Sequence, residues 1–104
     1  MSETMDTYRK TAAEMSADTR EKVIVDLRKD REYSMGTAPG AVHIEGETFS
    51  AHMDELPKDK PIYLMCYTGV TSDEMTALLR ERGYEAYSIE DGYRGYFRWT
   101  LENL

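Results

Sequence analysis

Ile62-Tyr63-Leu64-Met65-Cys66-Tyr67-Thr68-Gly69-Val70-Thr71-Ser72 is an apolar run that breaks into a small-residue loop and then enters a helical pattern. Ile62 to Met65 reads as a short buried strand, whereas Thr71 to Arg82 carries Met75, Leu78 and Leu79 at helical spacing. The single cysteine of the chain, Cys66, therefore falls at a strand-to-helix turn. Gly69 gives that turn backbone freedom, and Thr71, Ser72 and Asp73 are residue types that open helices. The first amides of such a helix point back at the sulfur, and they and the helix dipole favour an anion there. The stretch predicts a thiolate held at a strand's carboxyl end, where open α/β sheets place their ligands.

Working outward, Val23-Ile24-Val25-Asp26-Leu27 is a β-branched strand, and Gly36-Thr37-Ala38-Pro39-Gly40 is a turn cluster. A short strand is expected over Ala41 to Ile44, a short helix over Glu47 to Leu56, and an exposed connector at Lys58-Asp59-Lys60. Gly83 stops the helix that begins at Thr71. Tyr84 to Ile89 forms a further strand, and Tyr93 to Leu101 a last helix rich in aromatics. Strands alternating with helices imply an α/β fold whose mainly parallel sheet is covered on both faces. Internal repeats, low-complexity tracts and linkers are absent from the sequence, so residues 1–104 are expected to form a single domain.

Composition bounds the function. The 104 residues, 40% hydrophobic and 32% charged, suffice for one modest core. The start, Met1 to Asp6, has neither the basic flank nor the apolar stretch of a signal peptide, and no segment approaches the roughly 20 apolar residues of a membrane helix. A cytoplasmic protein with no membrane partner is expected. One cysteine forbids an internal disulfide, so any sulfur chemistry must end on a partner. The formal charge of -7 argues against nucleic-acid binding. His43, His52 and Cys66 lack the paired spacing of zinc sites, and no metal is assigned.

A free cysteine is often only a packing residue. Position argues otherwise here, because the residues after Cys66 are small and turn-forming where a core would want bulk. Phosphatases of the Cys-x5-Arg type place an arginine six positions after their nucleophile, and that position is Ser72. Without the guanidinium there is no bidentate clamp on a phosphoryl group.

Four blocks resemble, in order and spacing, those of the rhodanese family. Val25-Asp26-Leu27-Arg28 with Glu32-Tyr33 resembles its first-strand block, and Gly36-Thr37-Ala38-Pro39-Gly40-Ala41-Val42-His43-Ile44 resembles its Gly-x-x-Pro-Gly-Ala segment. Cys66 to Ser72 looks like its active-site loop. Leu78-Leu79 with Gly83-Tyr84, then Glu90-Asp91-Gly92-Tyr93, resemble its closing blocks, and Thr11-Ala12-Ala13-Glu14 its short N-terminal motif.

The resemblance implies a three-layer α/β/α domain around a five-stranded, mainly parallel sheet. It also implies sulfur transfer without a cofactor: Cys66 takes a sulfane sulfur from thiosulfate or a persulfide, holds it as a persulfide, and passes it to a thiol, a cyanide-like acceptor or an acceptor protein. Amides from Tyr67, Thr68, Gly69, Val70, Thr71 and Ser72 would cradle the outer sulfur. Asp26 and Arg28 would hold the scaffold, with Glu32 as the expected ion-pair partner of Arg28. Tyr93, Tyr96, Phe97 and Trp99 read as helix packing, Arg94 and Arg98 as solvated charges, and His43 has no partner visible in the sequence. Two departures weaken the pull on thiosulfate. Tyr67 and Thr68 stand where thiosulfate-specific members often carry a cation, and Asp91-Gly92 replaces a Gly-Gly pair. A sulfur carrier or a redox- or sulfide-sensing module is the alternative function.

Overall fold

The computed structural model describes residues 5–104; residues 1–4, part of the stretch read for a leader, lie outside the described residues. The strands are β1 (Arg9–Lys10), β2 (Val23–Asp26), β3 (Val42–His43), β4 (Ile62–Met65) and β5 (Ala86–Ile89). They form one sheet in the order β1-β5-β4-β2-β3, and every pairing is parallel. The helices are α1 (Met5–Tyr8), α2 (Ala12–Ala17), α3 (Asp30–Ser34), α4 (Phe49–His52), α5 (Val70–Glu81) and α6 (Gly92–Glu102).

β4 is central because all four of its residues are buried. The period of two along a strand then splits its side chains between two cores. Ile62, Leu64 and Cys66 pack with Phe49, Met53 and Leu79, under α4 and α5. Tyr63 and Met65 pack with Met15 and Ile89, with Tyr93 and Tyr96 of α6 against them. This is the expected three-layer arrangement. Each fully buried aliphatic such as Ile62 or Leu64 contributes about 1.5–3 kcal/mol through its removal from water.

Several local expectations change. The helix expected over Glu47 to Leu56 is broken into a 3-10 turn (Gly46–Thr48), the single turn of α4, and a second 3-10 turn (Met53–Glu55). Ser50, His52 and Asp54 are weak helix formers, and the winding follows the burial of Phe49, Met53 and Leu56 instead. The third strand shrinks to Val42–His43. The fifth starts two residues late, because the Tyr84 amide is used by the Leu79 carbonyl at the end of α5. β1 was not expected at all: Arg9–Lys10 is polar and has no alternation, and only its parallel pairing with Ser88 and Ile89 makes it a strand.

At the start of α2, the Glu14 amide donates to Thr11 Oγ1 at 3.0 Å and the Thr11 amide to Glu14 Oε1 at 2.9 Å, a capping box. Among the described residues no helix is long and apolar enough to cross a membrane. No group of three or more His, Cys, Asp and Glu is placed there to hold a metal ion.

Candidate functional site

The carboxyl end of β4 delivers Cys66 to the sheet's upper edge, where the chain must turn into α5. Gly69 makes the turn with φ +109°, a left-handed value that costs a residue with a Cβ about 1–2 kcal/mol. The turn aims the Gly69 amide at Cys66 Sγ, 3.0 Å away, and the Ser72 amide at the same atom, 3.4 Å away. Both belong to the free donors at the opening of α5, which have no carbonyl partner within the helix. Cys66 is 6% exposed, so these contacts are made largely out of water.

Ser72 contributes its side chain as well. Its Oγ lies 3.5 Å from Cys66 Sγ, 3.1 Å from the Gly69 carbonyl and 2.8 Å from Ser88 Oγ. A hydroxyl has one proton, so Ser72 donates either to Gly69 or to the sulfur, while its lone pairs accept from Ser88 or from the thiol. The helix-capping role expected for Thr71, Ser72 and Asp73 is not what forms: the N-cap is Gly69, which makes no side-chain capping bond.

A second helix start fixes the loop from behind. The amide of Tyr93, at the beginning of α6, donates to the Cys66 carbonyl at 2.7 Å, and that of Arg94 to the Tyr67 carbonyl at 3.5 Å. With the loop carbonyls bound to α6, its amides face the sulfur. The close approach requires Gly92, since a Cβ there would lie 2.4 Å from the Cys66 carbonyl oxygen and 2.7 Å from that of Tyr67.

Asp26 ends β2 beside Met65 and is completely buried. Arg28 grips it through Nε at 3.0 and 3.1 Å and Nη2 at 2.8 Å, and Thr37 donates its hydroxyl at 2.7 Å. Burial pushes the Asp26 carboxyl up, but the Arg28 side chain and amide and the Thr37 hydroxyl together hold it below the ordinary carboxylate value. Arg28 therefore pairs with Asp26, correcting the expected Arg28–Glu32 pair, because the fork reaches back along its own strand. Its Nη2 also donates to the Gly36 carbonyl at 2.6 Å, and its guanidinium stacks 3.8 Å over the Tyr93 ring. The first-strand block, the Gly-rich turn and α6 are thus tied together at one guanidinium.

A cleft of about 410 Å³ opens in front of Cys66, bounded by Leu27, Arg28, Tyr67, Thr71 and Met75 and by a rim of charged side chains. Of the loop residues, Cys66 and Ser72 are buried and Gly69 and Thr71 half-buried. Tyr67, Thr68 and Val70 are exposed. Arg98 is held by Asp91 at 3.1 Å, so one of the two arginines read as solvated is paired. Asp91 itself adopts φ +61° at the start of α6.

Sequence reasoning missed Ser88 and misjudged His43. Ser88 shares a strand face with buried Ala86, and a polar residue at a core position is the signal that could have found it. His43 has partners: Nε2 lies 2.7 Å from the Arg28 carbonyl, and the ring stacks on Tyr33 with centroids 4.4 Å apart. Both are long-range contacts with no local pattern.

The family model for the rhodanese-like domain matches residues 9–98, and the chain belongs to that family. Among solved structures, a rhodanese-like domain protein from Staphylococcus aureus is 27% identical, with a TM-score of 0.77 over 85% of this chain and 89% of that one. A rhodanese-related protein from Thermoplasma volcanium, at 19% identity, shares the fold with a TM-score of 0.81 over 86% of this chain and 90% of that one. An NAD-dependent persulfide reductase from A. fulgidus is 28% identical, with a TM-score of 0.64 over 79% of this chain but only 14% of that one.

Proposed function

We propose that the protein is a sulfurtransferase in which the Cys66 thiolate takes a sulfane sulfur from thiosulfate or a persulfide and hands it to a thiol or cyanide-like acceptor. The observation that carries this reading is the cradle itself: two backbone amides converge on Cys66 Sγ at 3.0 and 3.4 Å, beneath an open cleft. Such donors stabilise the thiolate and remain available to the outer sulfur, and hydrogen bonds to a charged group contribute about 1.5–3 kcal/mol each. Family membership supports the same chemistry, as does Ser72 in place of a phosphate-clamping arginine.

The steps balance without a redox partner. The Cys66 thiolate attacks the outer sulfur of the donor, the donor's S–S bond breaks, and its electron pair leaves on sulfite or on the donor thiolate. An acceptor thiolate then attacks the outer sulfur now on Cys66, and the Cys66 thiolate is the leaving group.

Intact mass after incubation with thiosulfate, or with glutathione persulfide, tests the proposal. A gain of about 32 Da that dithiothreitol removes, and that a folded Cys66→Ser variant lacks, is the expected result of covalent transfer. No gain from either donor, or an equal gain in Cys66→Ser, overturns it and favours a sensing or binding module.

A further inference from the structure

We infer, on the sulfur-transfer reading above, that Cys66 receives its sulfur from a protein cysteine persulfide set among lysines or arginines, and that small anionic donors are disfavoured. The charge around the cleft carries this inference. Glu32, Glu45, Glu47 and Glu74 line it, against Arg28 and Lys29. Arg28 is neutralised by the buried Asp26, and Lys29 by Glu47. Glu32, Glu45 and Glu74 make no salt bridge among the described residues; Glu45 only accepts the Asp30 amide, at 2.9 Å. Lys29 also lies near enough to act on Glu45 and Glu32, but one cation shared among these carboxylates leaves an excess of negative charge, from three separate segments, around one nucleophile that is itself an anion when reactive. The chain's formal charge of -7 adds to the same field.

A dianion such as thiosulfate must enter against that field, whereas lysines flanking a partner's persulfide enter with it. Charged clefts change association rates by about 10–1000-fold in this way. The surface beside the cleft suits a polypeptide better than a small ion. A second groove of about 400 Å³ shares Arg28, Glu32 and Tyr67 with the first, continues over Met35 and Phe97, and takes in Arg94, a single cation against the three carboxylates of the cleft. Met35 is 85% exposed, Tyr67 55% and Phe97 49%. An extended segment with its cysteine over Cys66 would place basic flanks against the carboxylates and an apolar residue on this shelf. The partner's persulfide gives up its outer sulfur to Cys66, its S–S bond breaks, and the partner leaves as a thiolate, so no oxidant or reductant is needed.

The charge preference is measurable apart from sulfur transfer, by thiol–disulfide exchange of Cys66 in the full chain. Two cysteine peptides activated as 2-pyridyl disulfides serve as probes, one flanked by lysines and the other by glutamates. The lysine peptide is expected to react at least about tenfold faster at low salt. That ratio should shrink towards one in molar salt, where the Debye length falls to about 3 Å, and should also shrink in Glu32→Gln/Glu74→Gln. Equal rates, or a faster glutamate peptide, overturn the inference whatever the variant does. Loading of Cys66 by the lysine-flanked peptide persulfide should likewise outpace thiosulfate. Sulfur loading without charge preference overturns this inference alone; charge preference without sulfur loading from any donor overturns the sulfur-transfer reading on which it rests.

Discussion

The amide of Tyr93 donates to the carbonyl of Cys66 at 2.7 Å, so the first turn of α6 holds the backbone of the candidate nucleophile from the side opposite α5. Gly92 makes that contact possible, since φ +56° disfavours a side chain and a carbonyl oxygen 2.4 Å from its would-be Cβ leaves no room for one. Gly92→Ala is expected to cost about 2 kcal/mol or more from backbone strain and clash. It should also slow sulfur loading by a factor on the order of 10–100, because the loop must shift. Gly83→Ala is the control: φ is +89°, but the surrounding space is empty, so stability falls while Cys66 keeps its loading rate. Urea unfolding and the mass assay on both variants check this.

Ser72 and Ser88 form one unit, as Ser88 has no other side-chain partner among the described residues than the Ser72 hydroxyl at 2.8 Å. Ser72→Ala leaves the Ser88 hydroxyl buried and unpaired, at a cost of about 1–3 kcal/mol. The double variant Ser72→Ala/Ser88→Ala should lose less than the sum of the singles, by about 1 kcal/mol, in a double-mutant cycle of urea midpoints. Additive losses would contradict the geometry.

Removing Arg28 strands a carboxylate at zero exposure, so Arg28→Met is expected to cost about 3–5 kcal/mol. Arg28→Lys should also destabilise, since an ammonium reproduces neither the fork on Asp26 nor the stacking on Tyr93. The folded-state carboxyl of Asp26 sits below its unfolded value of about 3.9. Its contribution is therefore fully present above that pH and lost as pH falls through the lower folded value. The stability gap between the wild-type protein and Asp26→Asn, measured by urea unfolding from pH 7 downwards, should stay flat to about pH 4 and narrow below it.

Thr76 is buried on α5, and its hydroxyl has no hydrogen-bond partner among the described residues. Thr76→Val keeps the shape and removes the orphan group, so a gain of about 1 kcal/mol is expected, seen as a raised thermal midpoint. A loss would mean that the hydroxyl is satisfied in solution.

Most of the architecture was legible because burial leaves periodic traces. Val23 to Asp26 and Ile62 to Met65 are short apolar runs that only a covered parallel sheet accommodates, and Met75, Leu78 and Leu79 mark the inner face of α5. The placement of Cys66 at a strand-to-helix turn followed from the change of period at Gly69. The segment from Glu47 to Leu56 was less legible, since the same apolar spacing fits a helix or a chain of 3-10 turns. β1 was invisible because two polar residues carry no pattern, and their strand character comes wholly from β5.

Local pattern alone thus specified strands β2 and β4, helices α5 and α6, the site of the turn between β4 and α5, and the lack of an arginine at position 72, but not β1 or the short helices α1 to α3. Those features depend on neighbours within a few residues, where sterics and side-chain period act directly. Tertiary packing decided that Arg28 closes on Asp26 instead of Glu32, that α6 pins the carbonyl of Cys66, that Ser88 reaches Ser72, and that Glu32, Glu45 and Glu74 meet around one sulfur. Each of these joins segments distant in the chain or chooses among nearby partners, and no residue's local period records which charge or carbonyl will face it once the sheet has assembled.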